Sequence, residues 1–313
     1  FDIRNAGNLG CGSQNLSNNI NEPGCDDAPK NYDGVNMLEN AGSMEFDFGK
    51  AVYGINDSDG SATSGETFDG AGLSPPPRKG TDILITRGVT DSNVQLSDPA
   101  AAGSAQFKVD NMVAEGACFS GICKDDILVV SDCTKAKIFQ ATNLTANSVV
   151  HSKSGENACS SWGGKKKMSF NAGAKIMKMH SKFYYVADNP VTGRPGLYVQ
   201  GLTGTGQELL EGVEDLQLEF GVDSDNDLVV DAWKTADNVT DAEWESWDCS
   251  VTDPDGADCD LVRAVRYSIL VRSEENVLDK PQKYTFNGVD VTATDRRLRQ
   301  IFTSTVGIRN RLN

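Results

Sequence analysis

Three runs in the last hundred residues alternate apolar and polar side chains with a period of two, and this alternation constrains the fold more than any other feature. Leu216, Leu218, Phe220 and Val222 fall on one face, with Asp215, Gln217 and Glu219 on the other. Val265, Tyr267, Ile269 and Val271 repeat the pattern against Arg266 and Arg272. Leu298, Gln300, Phe302, Ser304, Val306 and Ile308 form a third such face, opposite Arg297, Arg299 and Arg309. Side chains that alternate in this way stand on opposite faces of a strand, so the three runs predict amphipathic strands sharing one apolar core face. Their outer faces carry opposite charge, acidic on the first and basic on the other two. Two readings of that charge stand side by side: a basic strip that docks a partner, and a sheet face neutralised by its own cross-strand ion pairs.

Upstream, shorter β-like runs occur at 82–86, 127–130, 174–179, 182–186 and 196–199, each bounded by Gly, Asp, Asn or Pro. No long stretch has a helical period, so the body is expected to be largely antiparallel β. Residues 1–43 are rich in Asn, Gly and Asp and read as a helix end followed by a disulfide-held loop. A half-buried strand is expected at 44–48, and 56–80, with its Pro75-Pro76-Pro77 run, reads as a long surface loop. The organisation expected is one domain over 1–313, with a variable β-rich region at 44–205 and a C-terminal antiparallel sheet at 206–313.

The formal net charge of −16 repels nucleic-acid phosphate and anionic lipid, so neither is an expected partner. A spanning helix needs about 20 apolar residues in a row, and the aliphatic stretches here are short, as in 127–130. The start, Phe1-Asp2-Ile3-Arg4, has neither an initiator Met nor a signal peptide, and reads as a processed or truncated chain.

Eight cysteines stand at Cys11, Cys25, Cys118, Cys123, Cys133, Cys159, Cys249 and Cys259. None shows the two-residue gap of a zinc knuckle or redox motif, and only His151 and His180 could complete a mixed site. Four disulfides in an oxidising compartment are the better account. Sequence alone leaves their connectivity open; pairing of sequence neighbours gives Cys11–Cys25, Cys118–Cys123, Cys133–Cys159 and Cys249–Cys259.

No catalytic constellation emerges. There is no Gly-x-Ser-x-Gly elbow, zincin His-Glu-x-x-His or phosphate-binding Gly-Lys-Ser/Thr loop. His151 and His180 read as ordinary surface or edge residues. Catalytic residues and an organic cofactor are therefore not expected. One acidic series invites a metal reading. Asp223, Asp225, Asp227 and Asp231 occupy positions one, three, five and nine of a tight loop, as oxygen ligands for calcium do. Against it, Leu228 replaces the usual Gly and Lys234 the bidentate Glu. The other reading is a β-turn closed by Asx hydrogen bonds.

Four ordered blocks carry a family resemblance. Residues 208–223 (ELLEGVEDLQLEFGVD), 262–273 (VRAVRYSILVRS) and 295–311, which opens DRRLRQIF, are similar to successive blocks of PilW-type minor pilins. Near the start, residues 2–11 resemble the segment that follows the pilin helix, and 194–198 (RPGLY) fits as well. The clear similarity covers the first dozen residues and roughly the last 120. The resemblance implies an α+β, mostly antiparallel pilin-like head, similar to the large minor pseudopilins of type II secretion, whose N-terminal membrane helix is absent. It also implies a non-catalytic subunit that primes type IV pilus assembly and sits at or near the tip. The partners implied are other minor pilins, a tip adhesin and, through the missing helix, the major pilin. The location implied is the periplasmic side of the inner membrane before assembly and the extracellular pilus afterwards. Two further readings stay open: a secreted adhesin or ligand-binding module using the loops at 56–80 and 144–166 with Trp162, and a type II secretion pseudopilin.

Overall fold

A computed structural model describes residues 51–308 apart from 59–71, 102, 134–135, 153–156, 158–168, 202–203, 226 and 245–260. The helix end and loop expected over 1–43, the strand expected at 44–48, and Trp162 lie outside the described residues.

In chain order, β1 (Val52–Ile55) precedes the long β2 (Ile83–Gln95). Short strands follow: β3 (Gln106–Lys108), β4 (Ala114–Glu115), β5 (Cys118–Phe119) and β6 (Ile122–Cys123). Then come β7 (Ile127–Ser131), β8 (Ala136–Gln140), β9 (Asn143–Thr145), β10 (Ser148–Val150) and a second long strand, β11 (Lys175–Asp188). After β12 (Pro195–Gln200), β13 (Gln207–Glu211), β14 (Val213–Val222) and β15 (Ala232–Lys234) come a 3-10 turn at Ala236–Asn238 and a four-residue helix, α1 (Asp241–Trp244). The last strands are β16 (Val262–Asn276), β17 (Lys283–Phe286), β18 (Val289–Thr292) and β19 (Arg297–Gly307).

The expected α+β class is corrected here. The described residues are nearly all antiparallel β, with α1 their only α-helix. The physical reason lies in the sequence: period-two runs are punctuated by Gly, Asp and Asn turns, and no run sustains the apolar spacing that would give a helix a buried face. Among the described residues no helix is long and apolar enough to cross a membrane.

The chain divides into two compact units, one of residues 1–41 and 87–180, the other of 42–86 and 181–313. The first unit holds two small sheets, β3-β10-β9 and β4-β5-β6, and the β7-β8 hairpin, which pairs with the opening residues of β11. Its core collects Val94, Leu96, Phe107, Val130, Phe139, Phe170 and Ile176. Cys118 and Cys123 face each other across β5 and β6 and form a disulfide. Ser120 and Gly121, both with positive φ, make the tight turn between them, the geometry that matches strand twist in two-residue hairpins. His151, expected at the surface, is instead buried, its ring 4.6 Å from Phe107 and 5.7 Å from Phe139. Burial disfavours the imidazolium and pushes its pKa down to about 4.

The second unit contains the three strands that sequence alternation singled out. They form a sheet in the order β15-β14-β16-β19. Phe220 stands opposite Val265, Leu218 opposite Tyr267 and Leu216 opposite Ile269. This face packs against Val52 and Tyr53 of β1, Leu84 at the start of β2, Val186 at the end of β11, and Leu197 of β12. Trp244 of α1 fills the centre, 4.6 Å from Phe220 and 4.8 Å from Tyr53. Gly54 lets the Phe220 ring lie directly over β1, where a Cβ would collide with it. The shared core face holds for β14 and in part for β16. It fails for β19, whose Leu298, Phe302 and Val306 are exposed. The covering layer ends over β16, so the edge strand projects beyond it.

Candidate functional site

The turn between β13 and β14 starts the site. Gly212 has φ +87° and donates its N–H to the Pro195 carbonyl (2.7 Å), while its own carbonyl accepts from Arg272 N–H (2.8 Å). A Cβ at this position would sit 2.8 Å from the Arg272 carbonyl oxygen, so glycine is required both by its backbone angle and by the close approach. Just after it the β14–β16 register slips by one residue between Val213 and Asp215. The extra residue is Glu214, and a bulge of this kind re-aims the side chain that it carries.

Glu214 is aimed at two guanidinium groups. Its carboxylate accepts from Arg272 Nη1 at 2.9 Å and from Arg299 Nε at 2.6 Å. Arg299 reaches on to Asp295 at 2.6 Å and is nearly buried. Hydrogen bonds that Arg299 donates to Asp295 and Glu214 raise its pKa further above the ordinary value, while Asp295 is held low mainly by the Arg299 guanidinium. Alongside, Arg194 pairs with Glu211 at 3.0 Å and Glu274 at 2.5 Å. Arg194, Pro195, Glu211, Gly212, Arg272 and Arg297 line a shallow cleft at this point. Further along the same strand pair Glu219 stands opposite Arg266 and bonds it at 3.0 Å, and the Arg266 guanidinium also stacks on Trp233.

Apart from Glu274 and Trp233, these residues come from the sequence blocks singled out above: 194–198, 208–223, 262–273 and the block beginning at 295. Blocks separated by as much as a hundred residues meet in one network of alternating charges. Of the two readings of the charged strand faces, the geometry supports the neutralised one, since Arg266, Arg272 and Arg299 each have a carboxylate partner on a neighbouring strand or turn.

The acidic series lies at the far end of β14. Asp223, Asp225 and Asp227 place carboxylate oxygens within 4.8 Å of one another. The hydrogen bonding there is of the turn type. Asp223 is fully buried and accepts from Arg263 Nε at 2.9 Å, Asp227 N–H at 3.1 Å and Leu228 N–H at 3.0 Å. Asp227 accepts from Val229 N–H at 2.8 Å and Asp231 from Ser224 N–H at 2.7 Å. Burial would push the Asp223 carboxyl up, but the guanidinium and the two amides outweigh it and hold it below the ordinary range. Both Asp223 oxygens are thus engaged by donors, one of them a buried cation, which opposes a second positive charge at the same oxygens. Of the cysteines, Cys118 and Cys123 pair with each other, Cys133 is also disulfide-bonded, and Cys11, Cys25, Cys159, Cys249 and Cys259 lie outside the described residues.

Sequence reasoning missed the site's second buried carboxyl, Asp82. It sits just before β2 and accepts from Asp57 N–H at 2.9 Å and Leu218 N–H at 2.7 Å, tying that strand to β14. Burial dominates and raises its pKa to about 7, against the lowering effect of the two amides.

Comparison with known families decides what this sheet belongs to. Residues 183–310 match the family described as Type IV Pilus-assembly protein W, or PilW. The matched stretch runs from within β11 to just beyond β19 and so includes the whole charge network. Over this segment the chain is similar to PilW-type pilus proteins. No curated protein matches the chain. The PilW match covers the second unit's C-terminal part, whereas residues 87–180 of the first unit lie outside it. The match supports a role related to type IV pilus assembly and an association with the envelope or the pilus.

Proposed function

We propose that this PilW-type chain is a non-catalytic minor pilin head that helps prime type IV pilus assembly and takes a place at or near the pilus tip. The observation that carries the reading is where the family blocks meet. The residues of 194–198, 208–223, 262–273 and 295–302 spend their charges on one another: Arg272 and Arg299 on Glu214, Arg299 on Asp295, Arg194 on Glu211. Groups committed in this way hold a sheet together, which is what a structural subunit needs, whereas a catalytic group must be left poised for a substrate. The partners on this reading are other minor pilins and a tip adhesin.

Immunogold electron microscopy with an antibody against residues of the first unit tests the position. Label confined to pilus ends is the expected result. Label distributed evenly along the shaft, or absent from sheared pili, would remove the tip assignment.

A further inference from the structure

Among the described residues strand β19 is the open edge of the β15-β14-β16-β19 sheet, and its exposed half is built unlike any other edge described in the second unit. Its one strand partner among the described residues is β16. Its hydrogen-bonding phase follows from two observations. Ile308 N–H bonds the Arg263 carbonyl, so even-numbered residues turn their amide groups toward β16. Arg299 turns its own away and is met there by the Gln282 side chain, which accepts from Arg299 N–H at 2.7 Å and donates to its carbonyl at 3.0 Å. Gln282 therefore caps the edge at Arg299. Beyond it, Ile301, Thr303, Thr305 and Gly307 direct their N–H and C=O groups outward, and all of 300–307 is exposed.

Edges of this kind are ordinarily blunted by charge, proline, a bulge or shortness. The other edges of the second unit use these devices: β1 has four residues, β15 has three, and β13 carries Glu208 and Glu211 and a register irregularity against β12. The run 301–307, IFTSTVG, has none of them: no charge, no proline and no bulge against β16.

We infer that the 301–307 edge is a self-association surface, on which a second copy of this chain pairs antiparallel with a two-fold axis through Ser304. The occupant is chosen by the pattern of the run, which is complementary to itself. About this axis Ile301 bonds Gly307 of the other copy and Thr303 bonds its Thr305, giving about eight backbone hydrogen bonds in all. The pairs between them put Phe302 against Val306 of the second copy, twice, with the two Ser304 residues meeting at the centre. Phe302 and Val306 are 51% and 54% exposed in the single chain and lie on the apolar face that continues from Tyr267 and Ile269. Directly opposed aromatic and β-branched residues, and opposed threonines, are favourable cross-strand pairs. No like charges face each other anywhere in the run, although the chain as a whole carries −16. This inference does not rest on the tip assignment.

Analytical ultracentrifugation over a range of concentrations tests it, at moderate salt so that the overall negative charge is screened. The expected result is a reversible monomer–dimer equilibrium. Ser304→Lys sets two ammonium groups against each other on the axis and should weaken the dimer by roughly tenfold or more. Val289→Lys, an equally exposed change away from the edge, should leave it unaltered. Ser304→Cys should give a covalent dimer on oxidation, because Cβ atoms of a directly opposed pair lie about 4.5–5.5 Å apart, close to disulfide reach. Wild-type protein that stays monomeric at every concentration overturns the inference and leaves the edge to a strand of a different subunit. So does a dimer that Ser304→Lys leaves intact while circular dichroism shows the fold unchanged.

Discussion

Asp223 and Arg263 form an ion pair at 2.9 Å with both side chains buried, and at this scale the turn stands or falls on it. Asp223→Ala removes the carboxylate from this buried ion pair, which costs about 3–5 kcal/mol, read as a lower urea midpoint. The same pair decides the calcium question: with both Asp223 oxygens engaged, millimolar calcium should leave the melting temperature unchanged, and a clear upward shift would restore Asp223, Asp225, Asp227 and Asp231 as ligands. Asp82 gives a pH signature. Its folded pKa, about 7, lies above its ordinary 3.8, so the folded state holds the proton more tightly. Its contribution to stability is therefore full below about pH 4 and is lost as pH rises through 7, by up to roughly 4 kcal/mol. His151, held near 4 by burial, works in the opposite direction, losing stability as pH falls from 6.5. Comparing wild type with Asp82→Asn cancels the histidine: the stability of wild type relative to the variant should fall between pH 4 and pH 7. A constant difference would contradict the assignment.

At the scale of elements, the strands were largely legible and their joins were not. Alternation located β14 and β16 because each stands half in a core, and it located β19 too, although there the apolar face is exposed. The runs at 174–179 and 182–186 proved to be one strand, β11, the polar residues His180, Ser181 and Lys182 sitting within it rather than ending it. β8 went unread because all five of its residues are buried, polar Lys137 and Gln140 included, so that burial leaves no alternation to see. The bulge at Glu214 was invisible for a different reason: a slip in register depends on the partner strand, not on local composition. That bulge makes its own prediction. Glu214→Ala removes the carboxylate shared by Arg272 and Arg299 and should cost roughly 1.5–3 kcal/mol, whereas Arg299 keeps Asp295. Chemical denaturation measures it, and a loss no larger than that of an exposed Glu275→Ala control would show that the network contributes nothing to stability.

Over the whole molecule, the C-terminal sheet was readable as a family feature while its class was not. Blocks at 194–198, 208–223, 262–273 and 295 onward pointed to a PilW-type protein, and residues 183–310 match that family. The α+β head that the resemblance implied gave way to a nearly all-β arrangement among the described residues, because a family's expected helix leaves no trace in strands that pack against one another. Cross-strand ion pairs were one of the two readings of the charged faces, but which partners meet was not legible, since the network joins side chains as far apart in sequence as Arg194 and Glu274. On the proposed reading, the paired charges of the second unit hold together a sheet that serves pilus assembly. Counting surface pili by electron microscopy in a strain lacking this gene, with and without the full-length gene restored, tests that claim most directly. Loss of pili with recovery on restoration is the predicted result; unchanged pilus numbers in the deletion strain would contradict it.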